Sequence, residues 1–154
     1  MKSFTLSALF LLLFQLSCVA KNNRFPIEKE GVQTLESKTL RISLDTSFPR
    51  IIQYNWISSG TIFYGQEDKL SQVIINEKLY SPKTTFSLVK NEANYTLDIP
   101  EISVTVRIKI KVVANTVEFN VTKIKEKGAF KVSSFEIPNH NLLTVRSTQK
   151  GASF

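Results

Sequence analysis

The chain has a single cysteine, Cys18, a single histidine, His140, and a single tryptophan, Trp56. One cysteine close to the N-terminus leaves no internal disulfide, so any stable domain must rest on its apolar core. One histidine and no cysteine beyond Cys18 leave nothing for a His-rich zinc site or a pair of histidine general bases. The five glycines and five prolines are scattered, without a Pro/Gly linker or a low-complexity tract. Blocks of basic charge are missing too. The formal charge is +7, yet no two basic residues are adjacent. After Leu16 no long apolar run recurs, and no window carries an apolar stripe at helical spacing, which argues against a membrane span and a helical fold.

What is present begins with an export signal. Met1-Lys2 is followed by an apolar run through Leu16, then by small residues up to Ala20 and the polar Lys21-Asn-Asn-Arg24. That order is the one a secretory leader shows. It divides the chain into a signal peptide over 1–20, a linker over 21–31 and a domain over 32–154, which can be read as truncated at its C-terminal end. Leu16-Ser17-Cys18 has the small-then-cysteine order of a lipoprotein cleavage site, so Cys18 is a candidate lipidation residue, with cleavage after Ala20 the competing reading. The expected location is secreted or at the cell surface, as a soluble domain or a lipoprotein.

The domain alternates at a period of two. Ile102, Val104, Val106, Ile108, Ile110 and Val112 interleave with Ser103, Thr105, Arg107, Lys109 and Lys111, which predicts a long antiparallel strand with one wet face. Ala114-Asn115 turns the chain into a return strand that brings Glu118 near those cations. Further strands are expected from Leu40, over Arg50–Trp56 and Thr61–Tyr64, in a hairpin around Asn76-Glu77, over Thr84–Val89 and Ala93–Ile99, and over Phe130–Ile137. Pro49 makes Asp45 to Pro49 a connection, since proline cannot donate to a ladder. About ten strands without helices predict an all-β antiparallel sandwich.

Chemistry is thinly represented. Asp45, Asp98, Glu101 and Glu136 fall at strand ends or turns, where solvated or capping roles are expected, and none has the apolar setting that raises a catalytic acid's pKa. No catalytic residue, metal site or cofactor is therefore assigned. Trp56 and Tyr64, with Tyr54 and Phe63 nearby, can stack on a sugar ring, and His140 in Pro138-Asn-His-Asn141 can face a ligand or a partner domain. The trios Arg107/Lys109/Lys111 and Lys123/Lys125/Lys127 each share one strand face. Without interleaved aromatics they do not read as a nucleic-acid groove.

Several blocks also resemble the N-terminal domain of endo-α-N-acetylgalactosaminidases, glycoside hydrolase family 101. They are Asp45-Thr-Ser-Phe-Pro-Arg-Ile-Ile-Gln-Tyr54, Phe63-Tyr-Gly-Gln66, Val73-Ile-Ile-Asn76 with Tyr80-Ser-Pro82, Val121-Thr-Lys-Ile124, and Phe135-Glu-Ile-Pro-Asn-His-Asn141. The resemblance spans roughly residues 32 to 152. It implies a galactose mutarotase-like supersandwich placed before a (β/α)-barrel that cleaves mucin-type O-glycans with retention. The barrel and its acids have no counterpart in this sequence, so the resemblance implies a non-catalytic, carbohydrate-associated domain whose partners are that barrel and galactosyl or mucin-type glycans. A free-standing carbohydrate-binding module is the alternative. An aldose epimerase is disfavoured because such enzymes of this fold use more than one histidine.

Overall fold

The long alternating segment forms the strand around which one half of the molecule is built. In the computed structural model, which describes residues 31–140, Val104–Val113 pairs with Thr116–Glu126 on one side and Glu92–Ile99 on the other. The segment expected to be a signal peptide, Cys18, most of the expected linker and the residues beyond His140 lie outside the described residues. In chain order the strands are β1 (Val32–Glu36), β2 (Leu40–Asp45), β3 (Arg50–Trp56), β4 (Thr61–Tyr64), β5 (Val73–Ile75), β6 (Lys78–Tyr80), β7 (Lys83–Val89), β8 (Glu92–Ile99), β9 (Val104–Val113), β10 (Thr116–Glu126) and β11 (Phe135–Glu136). A single 3-10 turn, Pro100–Ile102, separates β8 from β9.

The strands make two four-stranded antiparallel sheets, β1-β2-β3-β4 and β10-β9-β8-β7, and a small third sheet in the order β11-β5-β6. Alternation decides what faces inward. Val104, Val106, Ile108 and Ile110 of β9 are buried, as are Ala93, Tyr95 and Leu97 of β8, and they join Leu35, Ile42 and Leu44 of the other sheet in one core. Burying an aliphatic side chain of this size contributes about 1.5–3 kcal/mol relative to exposure, so this shared core is the main source of stability. The outward positions of β9, namely Thr105, Arg107, Lys109 and Lys111, face water or are half-buried.

Two departures from regular strand geometry shape the sandwich. Between Ser43 and Leu44 the register with β3 shifts by one residue, placing Ile52 in a bulge. Beyond it the Gly65 and Gln66 amides donate to the carbonyls of Ile52 and Ile51, and a Cβ at Gly65 would meet the Ile51 carbonyl oxygen at 2.2 Å. Only glycine allows the chain to approach β3 this closely. The second shift falls between Val121 and Lys123, leaving Thr122 as the extra residue in β10.

Of the solvated or capping roles expected for Asp45, the Asp45 to Arg50 corner takes the capping one, and it is buried. Asp45 is 6% exposed and Arg50 5%. The Arg50 Nε and Nη2 groups donate to the Asp45 carboxylate, while Nη1 donates to the carbonyls of Glu67 and Asp68, both at 2.8 Å. The Ser47 amide and hydroxyl also donate to Asp45, at 2.7 and 2.6 Å. From the opposite sheet, the buried Tyr95 hydroxyl donates to the Asp45 carbonyl at 2.7 Å. Desolvation works to raise the Asp45 pKa, but the Ser47 and Arg50 hydrogen bonds outweigh it and hold the carboxyl below its ordinary value. Burial, reinforced by the Asp45 charge, drives the Tyr95 phenol upward, so it stays a neutral donor.

Side chains complete the turns. Asn91, at φ 62°, accepts from the Glu36 amide and donates to the Glu36 carbonyl, tying β1 to the β7–β8 turn. Asn76, at φ 47°, accepts from the Ser133 and Ser134 amides and donates to the Lys131 carbonyl. Those bonds explain why the strand expected over Phe130–Ile137 shrinks to Phe135–Glu136. With the Val132 amide donating to Glu126, the backbone of this segment is satisfied by side chains in place of a ladder. Phe130 and Val132 still pack against the core.

Candidate functional site

The residues singled out from the sequence fall in separate places. Trp56 ends β3 opposite Leu40, 36% exposed, with its ring edge-on to Phe63 at 6.3 Å. Cross-strand register puts Trp56, Tyr54, Thr61 and Phe63 on one face of the sheet. Tyr64 pairs with Gln53 and points to the opposite face, the one that also carries Asn55 and Ile62. Trp56 and Tyr64 therefore do not form a single stacking platform. Tyr54 packs against the core, and desolvation pushes its phenol up to about 12.

His140 lies at the other end of β3. Its ring is hydrogen-bonded to the backbone of Pro49, whose carbonyl is the only group proline can offer, and packs edge-on against Phe119 of β10 at 5.5 Å. With Phe135 and Ile137 these two rings line a shallow hollow of about 360 Å³. Burial pulls the His140 pKa below its ordinary value and so favours the neutral ring, against the opposing hydrogen bond that the ring donates to the Pro49 carbonyl. Its Nε2 is buried without a hydrogen-bond partner. A strand rises about 3.3 Å per residue, so the length of β3 keeps Trp56 roughly 20 Å from Arg50, the residue after Pro49. The tryptophan and the histidine thus serve different surfaces.

Two features lay beyond sequence reading. Asn55 is 8% exposed with an unpartnered buried Oδ1, on the same face as Tyr64. A buried unsatisfied carboxamide marks a place where a polar group from water, ligand or a neighbouring domain is accommodated. Nothing in Tyr-Asn-Trp signals that burial, since Asn55 lies between Arg41 and Ile62 on neighbouring strands. The second is the divergence of the basic trios. Lys111 pairs with Glu118 at 3.0 Å, as the expected hairpin allowed, and Lys109 pairs with Glu92 of β8 at 2.6 Å, while Arg107, Lys123 and Lys125 take no part in the ion pairs of the described residues.

The ionisable groups show little that resembles an acid–base pair. The carboxyls that the structure moves all move down: Asp45, Glu92 beside Lys109, and Glu126, which accepts from the Val132 amide and Lys131. That is the wrong direction for a general acid at neutral pH. Among the described residues no group of three or more His, Cys, Asp or Glu side chains is placed to hold a metal ion. No helix among them is long and apolar enough to cross a membrane.

Two antiparallel sheets around one core, to which a third small sheet contributes Val73 and Ile75, define an all-β domain of the sandwich class. The chain belongs to the galactose mutarotase-like fold domain family, whose model matches residues 35–154. Among curated proteins it is similar to one from Renibacterium salmoninarum named as an endo-alpha-N-acetylgalactosaminidase, 26% identical over 133 residues. That match takes in 82% of this chain and 8% of the relative, so this chain corresponds to a small part of that protein's length.

Proposed function

We propose that this chain acts as a non-catalytic, carbohydrate-associated domain of a secreted endo-α-N-acetylgalactosaminidase-like glycosidase working on mucin-type O-glycans. The chemistry belongs to a catalytic barrel outside residues 1–154. The carrying observation is the surroundings of the one histidine. Among the described residues, His140 shares its hollow with Phe119, Phe135 and Ile137, is held to a proline carbonyl, and meets no carboxylate in the lining. An aldose epimerase needs a base at the anomeric hydroxyl and an acid at the ring oxygen, and the described lining of this hollow offers only His140. The fold alone does not supply the activity of its family namesake.

The half-exposed Trp56, braced by Phe63, is the side chain best presented for a sugar ring, with the galactosyl and mucin-type glycans as expected ligands. The leader expected over 1–20 supports export, with Cys18 as the lipid attachment point if the chain is retained at the surface. A glycan array probed with the purified chain tests the reading. Binding to galactosyl or mucin-type glycans that drops about tenfold in Trp56→Ala is the expected result. A chain that binds none of them, or that accelerates galactose mutarotation over buffer, would refute it.

A further inference from the structure

The bulge in β10 decides which way three lysines point. On β10, Glu118 and Asn120 pair with Lys111 and Lys109, on the wet outer face of the sheet. Strict alternation from there would carry Lys123 and Lys125 to the inner face. The register shift at Thr122 reverses them: Lys123 pairs with Arg107 and Lys125 with Thr105, while Val121 and Ile124 oppose the inward-facing Ile108 and Val106. Bulges of this kind re-aim side chains and recur next to functional sites.

The outcome is a polar hollow of about 210 Å³ lined by Thr105, Arg107, Lys123, Lys125 and Lys127. All four cations are exposed, and none joins an ion pair among the described residues. Two acids flank these cations, and of the two only Glu126 is ion-paired. Asp98 accepts from the Thr105 hydroxyl at 3.0 Å, and Glu126 is held by Lys131 and the Val132 amide. Four like charges side by side repel one another, so an acid at any of these places would relieve the strand. At the far end of the same face Glu92 and Glu118 neutralise Lys109 and Lys111 in that way.

We infer that the Arg107–Lys123–Lys125–Lys127 hollow is a binding site for an anionic saccharide, whose sulfate or carboxylate groups the cations bind. Hydroxyl and amide side chains lie along the same face: Thr105, Thr96 across from Arg107, and Asn94 and Asn120 across from Lys109. These suit the hydroxyls of a sugar chain. A single-stranded nucleic acid would need aromatic platforms for its bases, and this face has none at those positions. The site stands apart from Trp56 and does not rest on the glycosidase reading.

The test is a fluorescence titration of the purified chain with a labelled heparin-derived octasaccharide. Parallel arms use a hyaluronan octasaccharide, a neutral oligosaccharide of equal length and a single-stranded oligonucleotide of matched charge. Saturable binding to the sulfated probe is expected, weakening steeply with salt because exposed charges are screened over about 10 Å at 0.1 M. Hyaluronan binding as tight as the sulfated probe assigns the contacts to carboxylates, and weaker hyaluronan binding assigns them to sulfate; either supports the site. The double variant Lys123→Glu/Lys125→Glu should weaken binding at least tenfold. Lys38→Glu/Lys69→Glu, which changes net charge equally at exposed places elsewhere, should change it less than twofold. Equal losses in the two variants, no binding of either anionic sugar, or equal or tighter binding of the neutral or nucleic-acid probe would overturn the inference. Melting temperatures of both variants establish that each is folded.

Discussion

Asp45 and Arg50 are almost fully buried and saturated with hydrogen bonds, whereas Arg107, Lys123 and Lys125 stand in water with no acid paired to them. The corner contains as many polar contacts as a binding site would, yet every one is spent inside the chain, on Ser47, on the 67–68 carbonyls and on Tyr95. The open face is the reverse, since its cations help no neighbour. Charge at the corner is therefore a device of folding, and charge on the sheet face is available for a partner. A buried pair does little net work compared with well-packed apolar residues, but removing one member leaves the other stranded.

The sharpest way to break this contrast is at the corner. Arg50→Ala removes the buried cation paired with the Asp45 carboxylate and the Nη1 bonds to the Glu67 and Asp68 carbonyls, and it should cost about 3–5 kcal/mol in urea unfolding. A cost near that of an ordinary surface change would mean the corner is a bystander. Acid comes next. The folded-state pKa of Asp45 is depressed, so its contribution is complete above the unfolded value of about 3.9 and disappears as pH falls through the lower folded value. His140 is also depressed, by burial, so its neutral form contributes above about pH 6.5 and that part fades as pH falls toward its folded pKa. Denaturation midpoints should therefore drop first below about pH 6.5 on the His140 limb, which His140→Gln removes, and again below about pH 3.9 on the Asp45 limb. Smallest is the open face: Lys123→Gln with Lys125→Gln should shift stability by no more than about 0.5 kcal/mol. A larger loss would show that these cations hold the sheet together after all.

The framework was legible wherever one face of a strand is apolar and the other wet. Val104 to Val112, the Asn76-Glu77 turn, the Ala114 turn and the bounds of β3 and β4 could be read from alternation and turn residues alone, and so could the Lys111–Glu118 contact. The strand Val32–Glu36 escaped because only Leu35 is fully buried, too little to make a pattern. Ile102 was placed in β9 but lies in the 3-10 turn, where Ser103 adopts φ 55° and begins the strand anew. The candidate sites were less legible, since their composition depends on bulges. A single inserted residue reverses the side chains beyond it, and neither Ile52 nor Thr122 announces itself locally. Trp56 and Tyr64 looked like neighbours along the chain for the same reason that they are not neighbours in space: alternation puts them on opposite faces.

The Asn76 turn bears on the order of events as the molecule forms. The β5–β6 hairpin closes locally, but the Lys131 carbonyl that Asn76 holds comes 55 residues later in the chain. Closing a loop that long is entropically costly and is rewarded only once both ends are in place. The third sheet should thus be completed late, after β7 to β10 have assembled, and its carboxamide would face solvent until then. Asn76→Ala is accordingly expected to speed unfolding while leaving the folding rate nearly unchanged, a low-φ position in a stopped-flow chevron. If the folding limb slowed in proportion to the lost stability, this turn would belong to the nucleus. As the chain is synthesised from its N-terminus, a clasp that waits for residues 131–134 keeps the last stage of closure until most of the described strands have been made.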